Sequence, residues 1–198
     1  VRRQKRGAED KSLRTGSKRI GVLEMKLRLV GAALILGVSG FTVGFAASPE
    51  ARLQELKIEL PPAASPVANY VPVVRSGSLL FLAGHIPRDK TGKVMTGKVG
   101  SAVTIAQAQT AARQTGLALL ATLKQELGSL DRVKRIVRVE GFVNCPTEFT
   151  QQSSVINGCS DLLIEVFGDA GRHARMAIGA GSLPLDCTVE VAMIVEVE

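Results

Sequence analysis

The sequence is poor in the residues from which most metal and redox centres are built. Its 198 residues include two histidines, His85 and His173, and three cysteines, Cys145, Cys159 and Cys187. Two histidines are too few for a multi-histidine metal site or a zinc-protease motif. The cysteines form no CxxC pair, which excludes a zinc knuckle and a dithiol redox centre. They read instead as small buried hydrophobes. No GxSxG elbow, Walker loop or GxGxxG run occurs. Aromatic residues make up only 4% of the chain and nowhere alternate with basic ones, so RNA bases would find little to stack on.

What is present is an ordinary globular balance, 45% hydrophobic and 22% charged, in a chain long enough for one domain and an appendage. The charge is unevenly placed. Residues 1–28 carry ten basic and three acidic side chains, whereas residues 29–198 carry fifteen of each. The net charge of +7 therefore belongs to the N-terminal stretch, and a basic domain that holds nucleic acid is not indicated.

Residues 1–24 are polar and basic without an apolar period, and are expected to form a disordered tail. From Met25, the basic Lys26 and Arg28 precede an apolar run from Leu29 to Phe45, followed by the small residues Ala46, Ala47 and Ser48. Residues 25–47 thus have the layout of a signal peptide or a membrane-anchor segment, which implies an exported (periplasmic) or membrane-anchored protein. The competing reading is a mistranslated upstream extension of a cytoplasmic protein, and Met25 is a plausible initiator that would remove the stretch before it. Seventeen apolar positions with four glycines are marginal for a spanning helix. Contact with a membrane is expected through this segment alone.

The folded domain is expected over residues 48–198. Ala51 to Leu56 reads as a short helix before a bend at Pro61, Pro62 and Pro66. Tyr70–Val74 and Leu79–Ala83, joined by Arg75-Ser76-Gly77-Ser78, read as a hairpin, after which Gly84 to Pro87 turns into a loop. Ile105, Ala108, Ala112, Gly116, Leu119, Leu123 and Leu127 recur at steps of three and four, the stripe of an amphipathic helix. Thr104 with Gln107 supplies a capping box, and Gly128 a left-handed end. Val133–Val143 is β-branched and reads as a strand. Pro146 fits the first turn of a second helix that ends at Gly168. Ala174–Ala180 and the alternating Val189, Val191, Met193, Val195 and Val197 flank a turn through Leu183–Asp186, which reads as a closing hairpin.

This order predicts an α+β domain, a mixed β-sheet with two helices packed on one face. Its other face must be hidden, and copies of the same chain are the usual cover.

Three stretches resemble the RidA/YjgF family, often called endoribonuclease L-PSP. They are NYVPVVRSGSLLFLAGHIP (Asn69–Pro87), INGCSDLLIEVFG (Ile156–Gly168) and HARMAIGAGSLPLDCTVEVAMIVEV (His173–Val197). The resemblance covers Pro62 to Val197 without a gap between its Arg, Leu-Pro and Glu positions. It implies a chorismate-mutase-like fold and a homotrimer with clefts between subunits. It also implies hydrolysis of 2-imino or enamine acids to 2-keto acids and ammonia. Two rivals stay open, a non-catalytic sensor or scavenger module that binds a small carboxylate, and an endoribonuclease. No cofactor or metal is expected, because protonation already activates a C=N bond. Imine-generating enzymes of amino-acid metabolism are mostly cytoplasmic, which sits at odds with export.

Within that resemblance Arg175 is expected to grip the substrate carboxylate with two parallel hydrogen bonds, a grip lysine cannot reproduce. The bland alternative is a strand arginine paired with a surface carboxylate. Glu190 lies on the minority face of its strand and is expected to position the attacking water in the same cleft. Otherwise it is a solvated strand carboxylate. Tyr70, the single tyrosine, is expected to close the pocket, or else to be a half-buried core aromatic. Gly84 would admit a backbone group close to the ligand or simply turn the chain, and Asn157 would line the site or bond back to a loop. Ala177 stands where deaminating relatives carry Cys, so only its main chain could contribute. His85 replaces the family's Gln.

Overall fold

The computed structural model describes residues 47–63 and 69–198. The expectations for the tail, the apolar run before Ala47 and Pro66 lie outside the described residues. Among the described residues no helix is long and apolar enough to cross a membrane.

Five strands form one mixed sheet: β1 (Val73–Ser76), β2 (Leu79–His85), β3 (Val133–Asn144), β4 (Ala174–Ala180) and β5 (Val189–Val197). Two long helices, α2 (Ile105–Leu127) and α3 (Gln152–Phe167), pack on one face, and α1 (Pro49–Glu55) precedes the sheet. The α+β expectation of two helices on one side of a mixed sheet is met.

The core is built by period-two and period-3.6 patterning meeting in the middle. Val189, Val191, Met193, Val195 and Val197 of β5 are all buried, as are Leu80 and Leu82 of β2 and Ile136, Val139 and Val143 of β3. Above them sit Leu119, Leu120 and Leu123 of α2 with Ile156, Leu162 and Leu163 of α3. Each fully buried leucine contributes about 2 kcal/mol of transfer free energy. Helix α2 begins with the predicted capping box between Thr104 and Gln107 and ends on Gly128 at φ 80°. The two helices approach closely at Gly158, where any Cβ would strike the Gln109 carbonyl.

Two sequence expectations fail. The strand order is β1-β2-β5-β3-β4, so β4 and β5 do not pair as a closing hairpin. Instead β4 runs parallel to β3 at the sheet edge, and β5 is inserted antiparallel between β2 and β3. The segment after Ala180 carries the chain past β3, bending at Leu185 and Asp186, both with positive φ. Pro146 does not open the second helix. It starts a separate turn, closed by Phe149 N–H donating to its carbonyl, and α3 begins at Gln152.

Smaller shifts follow from pairing. Tyr70 to Pro72 precede β1 rather than join it, and β2 continues through Gly84 to His85 because β5 holds it there.

Candidate functional site

Strand alternation puts Arg175 and Ala177 on the side of β4 that faces α3, and His173 lies just before the strand. The register agrees, with Arg175 beside the buried Val139 and Ala177 beside Gly141, whose surface Ile156 of α3 covers. On α3, Asn157 and Ser160 are three residues apart and share one face. The two elements meet through Arg175. Its Nη1 donates to Asn157 Oδ1 at 2.8 Å and to Ser160 Oγ at 3.1 Å.

These two bonds use both protons of Nη1, leaving the Nε–H and Nη2–H edge unbonded among the described residues. Two other arginines of the sheet behave differently. Arg138 pairs with Glu140 at 2.7 Å and Arg135 with Glu196 at 3.8 Å. Among the described residues Arg175 has no carboxylate partner, so the paired-surface-arginine alternative does not hold. What it offers is an exposed guanidinium held from one side, with a planar two-donor edge to spare.

Ser160 and His173 were not legible as site residues. His173 Nδ1 lies 2.6 Å from the Gly171 carbonyl, which can only accept, so Nδ1 carries the proton. In the neutral ring Nε2 then accepts from the Ser160 hydroxyl at 3.0 Å. Burial lowers the His173 pKa below its ordinary 6.5, the Gly171 bond opposes this, and the Arg175 charge lowers it further. Cys159, also beside Arg175, is fully buried and its thiol is pushed up to about 12, with Arg175 opposing. It is not a nucleophile.

Glu190 occupies the other face of the sheet. It pairs with Phe142 of β3, and its carboxyl lies over Gly84 of β2, where a Cβ would collide with Oε1. Gly84 therefore clears space for a carboxylate of its own chain, a use different from the approach to ligand expected of it. Burial raises the Glu190 pKa above its ordinary 4.5. Around it the helix-free face is apolar, with Val74, Phe81 and Ile178 exposed and Met176, Phe142, Ala192 and Ile194 half-buried. Tyr70 is 49% exposed and lies on the segment entering β1.

His85, in the family's Gln position, points to the helix side. Its Nδ1 donates to Ala83 O at 2.8 Å and its Nε2 accepts from Thr122 of α2 at 2.8 Å. Both histidines thus tie a strand to a helix hydroxyl while neutral, and burial lowers the pKa of His85 as well, against its bond to Ala83. The folded state resists protonating either ring. Unfolding therefore takes up protons below pH 6.5, and stability, complete above that value, is lost as the pH falls toward the lowered folded pKa values. Glu190, raised by burial, acts oppositely and in the lower carboxylate range. The melting temperature is expected to fall between pH 7.5 and 5.5, and less in a His85→Gln/His173→Gln variant; equal slopes would contradict this.

Arg175, Asn157 and Ala177 thus form one cluster, and Glu190 and Gly84 another. Within one chain the sheet separates them, so the expectation that Glu190 reaches the same cavity as Arg175 is not met by a single chain. A surface groove of about 590 Å³ beside α1 and α2 is lined by none of them.

The sequence pattern of the YjgF/chorismate mutase-like family matches residues 50–197. The chain belongs to the RidA/YjgF family. Its likeness to individual members is strong. Protein TCP17 of Trypanosoma cruzi is 47% identical over 147 residues, 74% of this chain and 92% of that protein. The crystal structure of Atu1372 from Agrobacterium tumefaciens, of unknown function, is 43% identical with a TM-score of 0.69, covering 76% and 94% of the two chains. A candidate endoribonuclease from Shewanella oneidensis MR-1 is 36% identical with a TM-score of 0.73, covering 76% and 100%. The chorismate-mutase-like α+β fold that the RidA/YjgF resemblance implied is the fold observed.

Proposed function

We propose that the protein is an imine or enamine deaminase working in clefts between the subunits of a homotrimer. The observation that carries this reading is the unpaired side-on edge of Arg175. Two parallel N–H groups match the two oxygens of a carboxylate, and a guanidinium remains charged at every working pH.

Because the sheet separates Arg175 from Glu190 within one chain, this reading requires clefts built from two copies. If the apolar helix-free face of one subunit packs near the β4 edge of its neighbour, Glu190 of one chain meets Arg175 of the next. Covering that face also hides Val74, Phe81 and Ile178.

In such a cleft Arg175 holds the 2-imino acid beside its electrophilic C=N carbon. Glu190 takes a proton from water as the oxygen attacks that carbon, giving a tetrahedral aminoalcohol. It then returns the proton to nitrogen. As the C–N bond breaks, ammonia leaves with the bonding pair while Glu190 takes the hydroxyl proton, and the carbon becomes the carbonyl of a 2-oxo acid. A carboxyl with a raised pKa is suited to both transfers. Tyr70, on the exposed approach to β1, would close one side.

The second reading is a carboxylate-binding sensor or scavenger without turnover, favoured by Ala177, whose methyl brings no polar atom to the Arg175 cluster. The test is ammonia release from freshly generated 2-imino acids, added to the complete protein. Acceleration over buffer is expected; binding of 2-oxo acids without acceleration would leave the sensor reading in its place.

A further inference from the structure

We infer that Ser160 and His173 form a positioning relay that aims the Arg175 guanidinium at its ligand. The inference rests on the carboxylate-binding reading above and adds the residues that set the direction of the grip.

The relay is one directed chain of hydrogen bonds. The Gly171 carbonyl takes the Nδ1 proton of His173, which leaves Nε2 as an acceptor; Nε2 takes the Ser160 hydroxyl proton, which turns the Ser160 lone pairs toward Arg175 Nη1. A serine hydroxyl alone can donate or accept. His173 fixes which, so Ser160 presents only an acceptor to the guanidinium.

Geometry makes this a device for orientation. Asn157 is exposed, and a single acceptor there would let the guanidinium plane turn about its bond. Ser160 is 7% exposed and supplies the second acceptor on Nη1 from within the helix–sheet junction. Two acceptors on one nitrogen define the plane, and the Nε/Nη2 edge then points away from α3. The relay is also self-maintaining. Burial, and after it the Arg175 charge, disfavours a second cation at His173, and Cys159 on the same helix stays neutral.

Sequence periodicity brings these groups together. His173 lies just before β4, two residues from Arg175 on it, and Asn157 and Ser160 are three apart on a helix.

Calorimetric titration of the complete protein with 2-oxobutanoate, a 2-oxo acid of the product class, tests the relay apart from turnover. Ser160→Ala and His173→Ala should each weaken binding about tenfold, the scale of one hydrogen bond to a charged group. The double variant should be no weaker than either, because both act through one chain. His173→Gln keeps an acceptor at the ε position and should bind within about twofold of wild type, which a merely bulky role for His173 would not single out. Nitrogen-15 spectra of Arg175 should show separate Nη1 protons in wild type and His173→Gln, collapsing in Ser160→Ala; this readout survives if His173→Ala fails to fold. Wild-type affinity in Ser160→Ala and His173→Ala, with loss in Arg175→Ala, would overturn the relay and leave the carboxylate site standing. Unchanged affinity in Arg175→Ala would remove the carboxylate site itself and the relay with it.

Discussion

Arg175→Ala is expected to abolish carboxylate binding and turnover together. Truncating one partner of a hydrogen-bonded charge pair costs about 2–5 kcal/mol, or roughly 30-fold to several thousand-fold in affinity. The upper end is expected, because the variant also strips Asn157 Oδ1 and the Ser160 hydroxyl of their donor. Arg175→Lys should rescue little. An ammonium cannot bond Asn157 and Ser160 through one nitrogen while offering a planar two-donor edge through others. The melting temperature should fall only modestly, since the residue is exposed and forms no ion pair among the described residues but gives up its bonds to Asn157 and Ser160. Titration with a 2-oxo acid and ammonia-release kinetics check both statements, and retained binding in the alanine variant would contradict them.

Glu190→Gln separates the two readings of the site. The amide keeps the shape that Gly84 accommodates but cannot exchange a proton with water. If Glu190 is the acid–base group, kcat falls by about 10²–10⁴-fold while affinity for 2-oxo acids stays near wild type. The substitution should also stabilise the fold slightly at neutral pH. Burial raises the Glu190 pKa, so its ionised form is the one the fold disfavours, and the amide carries no charge. Full activity in Glu190→Gln would leave the carboxylate without a catalytic part.

Much of this site was legible because strand alternation is a local signal. The valine row of β5 put Glu190 on the face away from the helices, and that is where it lies. The stripe and caps of α2 were equally readable, since Thr104, Gln107 and Gly128 act within one turn of the helix ends. Pairing partners were not. Ala174–Ala180 and Val189–Val197 look like a hairpin because a Leu-Pro turn lies between them. Period-two alternation is the same whether a strand pairs with its neighbour in sequence or with β3, forty residues earlier. The parallel β3–β4 ladder decides where Arg175 sits, so the opposite-face geometry became visible only with the sheet order.

Pro146 misled for a related reason. Its missing N–H suits a helix start, but it suits a turn equally, and Gln151 before α3 makes no side-chain cap that would mark the true boundary. Ser160 and His173 went unread as site residues because a helix serine and a histidine just before a strand each have many uses. The signal that could have found them was spacing, His173 two residues before Arg175 and Ser160 three after Asn157.

The RNA-cleaving reading gains nothing from the sheet surface. Its strand arginines Arg135 and Arg138 are matched by Glu196 and Glu140, and the remaining face is apolar.

The account stands on one spatial statement, that a working cleft takes its guanidinium from one chain and its carboxylate from another. Co-expressing Arg175→Ala and Glu190→Gln chains in equal amounts and purifying the mixed oligomer tests it directly. In a closed ring of random composition each cleft draws its arginine and its glutamate from independent neighbours, so about a quarter of wild-type deaminase activity should return from two inactive parents. Mixed oligomers as inactive as either parent would contradict it.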